Sequence, residues 1–313
     1  VLVLDHIPKT AGTALRQVAR ANAPPGDVVD LDAEVWLARH RIDQTGHGPT
    51  AWRDGQAFFR SFYDSLPGER RSTSTCFLGH SAPMFIAAVT DRPVRAFCLL
   101  RDPVDRMVSL YRYLKLRETW TQKRTWAGFP GFYVAMRREG WTLKDAYREL
   151  GSPSGASVPR RDEFSALFNG QTRHLLGGTD FPATMPFEPD AEELADYRER
   201  VHRLLSERYV VGTQDRFSQS VRLFADTFGW RNIFLPRARV NSAPLGWEEI
   251  DPETRELIRD HNRLDAELHA RYSERLRDLP STSRLSDARW KVRRRAARRV
   301  GTLRSRLRTP VRK

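Results

Sequence analysis

The stretch His6-Ile7-Pro8-Lys9-Thr10-Ala11-Gly12-Thr13 sets a lysine, two hydroxyls and a glycine behind the apolar run Val1-Leu2-Val3-Leu4. The run predicts a buried strand, the next residues a turn, and the region from about Ala14 a helix. Chemically this is an anion site, because helix N-terminal amides and the positive end of the helix dipole both favour negative charge. It is not the nucleotide-triphosphate loop G-x-x-x-x-G-K-[ST]: no glycine precedes it and its lysine comes first. A second anion-suited set follows in Leu99-Leu100-Arg101-Asp102-Pro103-Val104-Asp105-Arg106-Met107-Val108-Ser109. Arg101 closes an apolar run, and Ser109 lies two helical turns further on. A guanidinium fork suits a phosphate monoester, and a hydroxyl adds one more hydrogen bond. The competing interpretation pairs Arg101 locally with Asp102 or Asp105. It weakens once two phosphate-suited elements follow two strands of one sheet.

The elements that must position these groups are legible around them. Cys76-Phe77-Leu78-Gly79-His80 reads as a short strand ending in a turn, and Val94–Leu100 as a central parallel strand. Pro103 suits the first turn of the helix that follows. Residues 23–75 read as irregular apart from a helix around Gln56–Leu66, and 119–160 as aromatic, basic and turn-rich. A further strand-helix unit spans 208–230. The last element is a single helix over 251–275, opened by Asp251-Pro252, with Leu257, His261, Leu264 and Leu268 along one face. Strands alternating with helices predict an α/β fold with a central parallel sheet flanked by helices.

Composition narrows the setting. The 313 residues are 40% hydrophobic and 29% charged, enough to bury a substantial core. No apolar run approaches the roughly 18 residues of a membrane span. Cys76 and Cys98 both fall in apolar stretches and read as reduced core thiols; with no N-x-[ST] acceptor, an intracellular, cytoplasmic setting is expected. The net charge of +14 suggests a nucleic-acid partner until it is divided. Residues 281–313 hold 13 Lys and Arg and one acid, a charge of +12. Removing them from totals of 53 and 39 leaves 40 basic and 38 acidic residues, or +2. The chain therefore divides into a nearly balanced body, 1–280, and a basic tail, 281–313, and no nucleic-acid partner is expected of the body.

Taken together, "HIPKTAGT" and "RDPVDRMVSLY" resemble the pair of cofactor motifs in sulfotransferases that use 3′-phosphoadenosine 5′-phosphosulfate. The likeness is greatest to the carbohydrate group that includes the heparan and chondroitin uronyl 2-O-sulfotransferases and their bacterial homologues. It runs in order through the first loop, Gly79-His80, the Arg101–Ser109 motif, "VGTQDRF" at 211–217 and "RVNSAP" at 239–244. The resemblance implies a fold like that of nucleotide kinases. It also implies that amides and hydroxyls of Thr10, Ala11, Gly12 and Thr13 hold the 5′-phosphate, with Lys9 aimed at the oxygen bridging phosphate and sulfate. That role would explain why the lysine leads, since it stabilises a leaving group. Arg101 and Ser109 would hold the 3′-phosphate, and Asn241 and Ser242 occupy a late cofactor loop. No metal is expected.

His80 matches a catalytic histidine of the 2-O-sulfotransferases, whose motif reads His-Gly-His; here Leu78 stands in place of the first histidine. An imidazole can deprotonate an alcohol as it attacks, so the resemblance makes His80 the general base, against the alternative of a strand-end cap. His6 reads as a packing or loop-bracing residue, His261 as core, and His174 as open. The segment 115–141, with Lys115, Arg117, Lys123, Arg124, Arg137 and Arg138 among aromatics, could seat a glycan, glycolipid or other hydroxyl-bearing acceptor, or could be helices with one solvated face. In the tail, Val292, Ala296, Val300, Leu303 and Leu307 make an apolar stripe on a basic helix. That fits either peripheral docking on an anionic inner membrane face or a disordered basic tail. The alternative to a sulfotransferase is a non-catalytic or different nucleotide-binding protein of kinase-like fold.

Overall fold

The computed structural model describes residues 1–24, 27–33, 55–68, 71, 76–80, 82–89, 93–120, 131–151, 167–177, 189–235 and 250–279. Five strands form one all-parallel sheet: β1 (Leu2–Asp5), β2 (Val28–Asp30), β3 (Cys76–Gly79), β4 (Arg95–Leu100) and β5 (Tyr209–Thr213), in the order β2-β3-β1-β4-β5. β1 is central, with Asp5 level with Gly79 on one side and Cys98 on the other. β1 connects towards the β2 edge and β4 towards the β5 edge, so the strand order reverses at the β1–β4 pair. Ligands of open α/β sheets bind at such a reversal, beyond the carboxyl ends of the strands.

The alternation of side chains along each strand feeds two cores. Val3, Phe77, Ala96, Cys98 and Leu100 face one cluster, and Leu4, Leu78, Phe97 and Leu99 face the other. The first is covered by α2 (Gly55–Ser65), α3 (Ala82–Ala88), α7 (Gly170–Leu176), α8 (Ala191–Arg208) and α11 (Arg263–Leu276), through residues such as Phe59, Phe85, Leu175, Val201 and Leu268. The second is covered by α1 (Gly12–Asn22) and α9 (Phe217–Phe228), through Leu15 and Phe224. Cys76 and Cys98 are buried, unpaired thiols, and burial pushes the Cys76 thiol up to about 12. A third cluster packs α4 (Pro103–Trp120), α5 (Gly131–Glu139), α6 (Leu143–Leu150) and α10 (Pro252–Asp260) around Met107, Tyr133, Tyr147 and Ile258.

Three expectations are corrected. The helix expected over 251–275 is two, α10 and α11, divided at His261 and Asn262. Asn262 turns its amide onto the carbonyls of Ile258 (2.8 Å) and Leu167 (3.0 Å), and tertiary hydrogen bonds at α11's start override an apolar stripe that runs on unbroken. His261, expected in the core, is half-buried at its edge, its ring 5.0 Å from Phe168 and 5.9 Å from Tyr147. Helix α1 begins at Gly12 rather than about Ala14, because Ala11 enters it from a left-handed conformation. Residues 23–75 include an edge strand, β2, paired to β3. Among the described residues no helix is long and apolar enough to cross a membrane.

Candidate anion and base site

The loop leaving β1 is held in an unusual backbone shape. Lys9 and Ala11 both have left-handed φ, 69° and 68°, alternating with Thr10, which does not. Left-handed non-glycine residues cost on the order of 1 kcal/mol or more each, so the surroundings must hold this shape. Alternation of this kind turns successive main-chain N–H groups into one concavity, an anion-binding nest. Gly12 and Thr13 begin α1, where amides have no intrahelical acceptor. No side chain caps the helix and no acid occupies its first turn, so nothing on the helix competes with a bound anion. Thr10 is buried and its hydroxyl donates to the Ile7 carbonyl (2.9 Å), so towards an anion it offers its main-chain N–H. The methyl group of Ala11, partly buried, packs against the core beneath α1.

Arg101, directly after β4, meets this loop. Its Nη1 donates to the Lys9 carbonyl at 3.1 Å, while its Nε is buried with no partner. The local pairing with Asp102 does not form: Asp102 Oδ1 instead accepts the Asp105 N–H at 3.0 Å. Burial holds the Arg101 guanidinium below its ordinary pKa, opposed by Asp105 and Asp102. Burial, then Arg101, also lowers the Lys9 ammonium, which lies 4.4 Å above the ring of Tyr113. Ser109 is half-buried on α4, one turn before Tyr113. The structure thus brings Lys9, the 9–13 backbone and Arg101 together at the strand-order reversal. Asn241 and Ser242 lie outside the described residues.

His80 stands at the end of β3, on the other side of β1. Its N–H donates to Asp32 Oδ1 (2.7 Å), its Nδ1 hydrogen-bonds the His6 carbonyl, and its ring stacks on that of His6 with centroids 4.1 Å apart. Because a carbonyl only accepts, Nδ1 must carry the proton, which leaves the Nε2 lone pair available as a base. Burial lowers the His80 pKa and Asp32 opposes it. His6 braces the loop as its position suggested. A Cβ on Gly12 would lie 1.7 Å from His6 Cδ2, so only glycine lets the helix start approach this ring. Burial, reinforced by His80, pushes the His6 imidazole down to about 2.

Two groups here have no counterpart among the sequence-derived site residues. Asp32, which orients His80, is itself held by Arg16 Nη2 at 2.5 Å. Asp5, fully buried at the end of β1, accepts His174 Nε2 at 2.6 Å and the Tyr209 hydroxyl at 3.1 Å. An acid closing an apolar strand run was the available signal for Asp5; Asp32 offered none. His6, Asp32 and His80 also bring two imidazoles and a carboxylate within 4.8 Å of one another, a set that could hold a metal ion. Yet Asp32 is ion-paired to Arg16 and accepts the His80 N–H, and His80 Nδ1 is taken up by the His6 carbonyl. The arrangement fits a hydrogen-bonded base better than a coordination sphere. No family model matches the chain, and no curated protein matches it.

Proposed function

We propose that the body of this chain, 1–280, is a sulfotransferase that moves the sulfuryl group of 3′-phosphoadenosine 5′-phosphosulfate to a hydroxyl of a glycan or glycan-like acceptor, on a sheet of nucleotide-kinase type. The observation that carries this is the meeting of the Lys9–Thr13 loop with Arg101, whose Nε has no partner, beside a histidine with one tautomer fixed. A nest of amides and a neighbouring guanidinium can take one phosphate each, which suits a nucleotide phosphorylated on both its 3′ and 5′ oxygens; ATP carries all its phosphates on the 5′ oxygen.

The residues present fit such a ligand. The nest amides of residues 9–13 would hold the 5′-phosphate, with Gly12 keeping the approach open. Arg101 and Ser109 would hold the 3′-phosphate, and Asn241 and Ser242 belong to the same proposed cofactor set. When bound, the co-substrate supplies a sulfuryl group and a phosphate leaving group, and its product is adenosine 3′,5′-bisphosphate. Lys9 carries the positive charge that stabilises the phosphate oxygen as its bond to sulfur breaks. To reach it, the ammonium leaves its place over Tyr113. His80 Nε2 takes the acceptor hydroxyl proton as the new oxygen–sulfur bond forms, and the His6 carbonyl steadies the imidazolium through Nδ1–H. No step assigned to these residues calls for a metal ion. The tail, 281–313, would hold the enzyme at an anionic membrane surface where lipid-linked glycan acceptors reside.

Thermal unfolding with adenosine 3′,5′-bisphosphate, against ATP with magnesium, tests the donor. At a hundredfold excess over its dissociation constant the bisphosphate should stabilise by about 2.7 kcal/mol without metal, and ATP much less. Equal stabilisation by both would overturn the two-phosphate site and favour the kinase-like alternative.

A further inference from the structure

The strand ladder stops one residue short of Arg101. β4 pairs with β5 as far as Leu100 opposite Thr213, and with β1 only as far as Cys98 opposite Asp5. The side chain of Gln171 takes over at that point. Its Oε1 accepts the Arg101 N–H at 2.9 Å and its Nε2 donates to the Arg101 carbonyl at 2.8 Å. One side-chain amide thus makes both hydrogen bonds that a neighbouring strand would make, across 70 residues of sequence.

Gln171 is itself rigidly held. It is fully buried, and its own N–H donates to Asp265 Oδ2 at 2.9 Å, while Asp265 Oδ1 accepts the Thr172 N–H and hydroxyl, each at 2.8 Å. Asn169 and Asn262 lock the same corner reciprocally. The Asn169 N–H donates to Asn262 Oδ1 (2.8 Å), and Asn169 Oδ1 accepts from the N–H groups of Leu264 (3.1 Å) and Asp265 (3.2 Å). Asn169 adopts a left-handed φ of 45° to do so. A buried polar network with its hydrogen bonds made is stiff and geometrically specific, because slippage would strand a polar group away from water. Here it ends on the main chain of Arg101, whose guanidinium reaches the Lys9 loop.

We propose that Gln171 is a positioning residue of the anion site: its amide fixes the Arg101 main chain, and so the direction of the guanidinium, while touching no ligand itself. The inference rests on the assignment of Arg101 to a 3′-phosphate. An apolar side chain of similar volume would fill the same space but leave the Arg101 N–H and carbonyl without these partners and the main chain free to turn.

Isothermal titration of the full chain with adenosine 3′,5′-bisphosphate and with adenosine 5′-monophosphate separates the two ideas. The wild-type protein should prefer the bisphosphate; without that preference the sulfotransferase assignment itself fails. Given the preference, Gln171→Leu should weaken bisphosphate binding about tenfold or more and leave the monophosphate within about twofold. The double variant Gln171→Leu/Arg101→Ala should bind no worse than Arg101→Ala alone. Thr172→Val, which removes a different hydrogen bond to Asp265, should lower the unfolding midpoint and keep the preference. Should Gln171→Leu not fold, Gln171→Glu carries the test, since it keeps the acceptor for Arg101 N–H and loses the donor; it should reduce the preference in part. An unchanged preference in a folded Gln171 variant, or an equal loss for both nucleotides, overturns the proposal.

Discussion

Gly12→Ala is the smallest change that probes how the anion loop and the base are joined. The added Cβ would lie 1.7 Å from His6 Cδ2, 2.3 Å from Nε2 and 2.6 Å from Cγ. Carbon atoms in good contact sit about 3.5–4.0 Å apart, so the ring must retreat by roughly 2 Å. It has little room, being buried and stacked on His80. Overpacking of this kind costs about 1–3 kcal/mol. Against it stands the preference of a helix for alanine over glycine, about 0.5–1 kcal/mol. An approach of 1.7 Å belongs at the upper end of that cost, so the net expectation is a destabilisation of about 2 kcal/mol, with the sign set by His6. Removing the ring with His6→Ala should therefore reverse it, making Gly12→Ala neutral or stabilising by up to about 1 kcal/mol in that background. Urea unfolding of the four proteins, followed by circular dichroism at neutral pH, measures the coupling. A Gly12→Ala cost that is absent in the wild type, or identical in both backgrounds, would show that the ring does not fill the space beside the helix start.

Further perturbations test the site and the basic tail. Lys9→Ala should lower turnover by about 2.7–4 kcal/mol in activation terms, and His80→Ala by about 10²–10⁴-fold, with bisphosphate affinity largely kept in the latter; normal turnover of His80→Ala would remove it as the base. Because burial lowers the His80 pKa, wild-type turnover should be flat above neutrality and fall only below the usual histidine value, as the base gains its proton. His6 stays neutral down to about 2 in the folded chain but takes a proton near 6.5 when unfolded, so the unfolded state binds more protons below 6.5 and stability is lost as pH falls. Between pH 6.5 and about 5 this should remove about 1.5 kcal/mol in urea unfolding, and His6→Leu should lose that dependence. Deleting 281–313 removes a charge of +12, and should abolish salt-sensitive sedimentation with anionic vesicles while sparing bisphosphate binding; wild-type protein left in the supernatant at low salt would refute the membrane role.

What was legible in the sequence was what is local. An apolar run followed by a proline, a lysine and small residues specifies strand, turn and helix within 15 positions, and the same holds at Leu100–Pro103 and at Thr213–Phe217. Lys9, Arg101 and His80 each stand at the end of a strand, so a parallel sheet brings their loops to one edge. What was illegible depends on partners far away. Gln171 looks like any amide in a glycine turn until Arg101, 70 residues earlier, is placed against it. Asp32 acts on His80 across 48 residues, from a segment whose short edge strand has too few residues to show a period. The break at Asn262 is hidden for the opposite reason: the apolar stripe continues through it, and only buried hydrogen bonds, absent from any periodicity, divide the helix.

The order in which the site's parts leave the ribosome differs from the order in which they can be fixed. The Lys9 loop is made early, but its strand lies at the centre of the sheet and has no partner until Gly79 and then Leu100 have followed. Arg101 arrives next, yet its grip waits for Gln171, and Gln171 waits for Asp265. At about 5–20 residues per second, the span from Lys9 to Asp265 takes roughly 10–50 s to synthesise. Through that interval the nest and the arginine exist without a fixed relation. A nascent chain therefore presents no assembled arrangement of the nest and the arginine, and a fragment ending before α11 is expected to keep the motif and lack that arrangement.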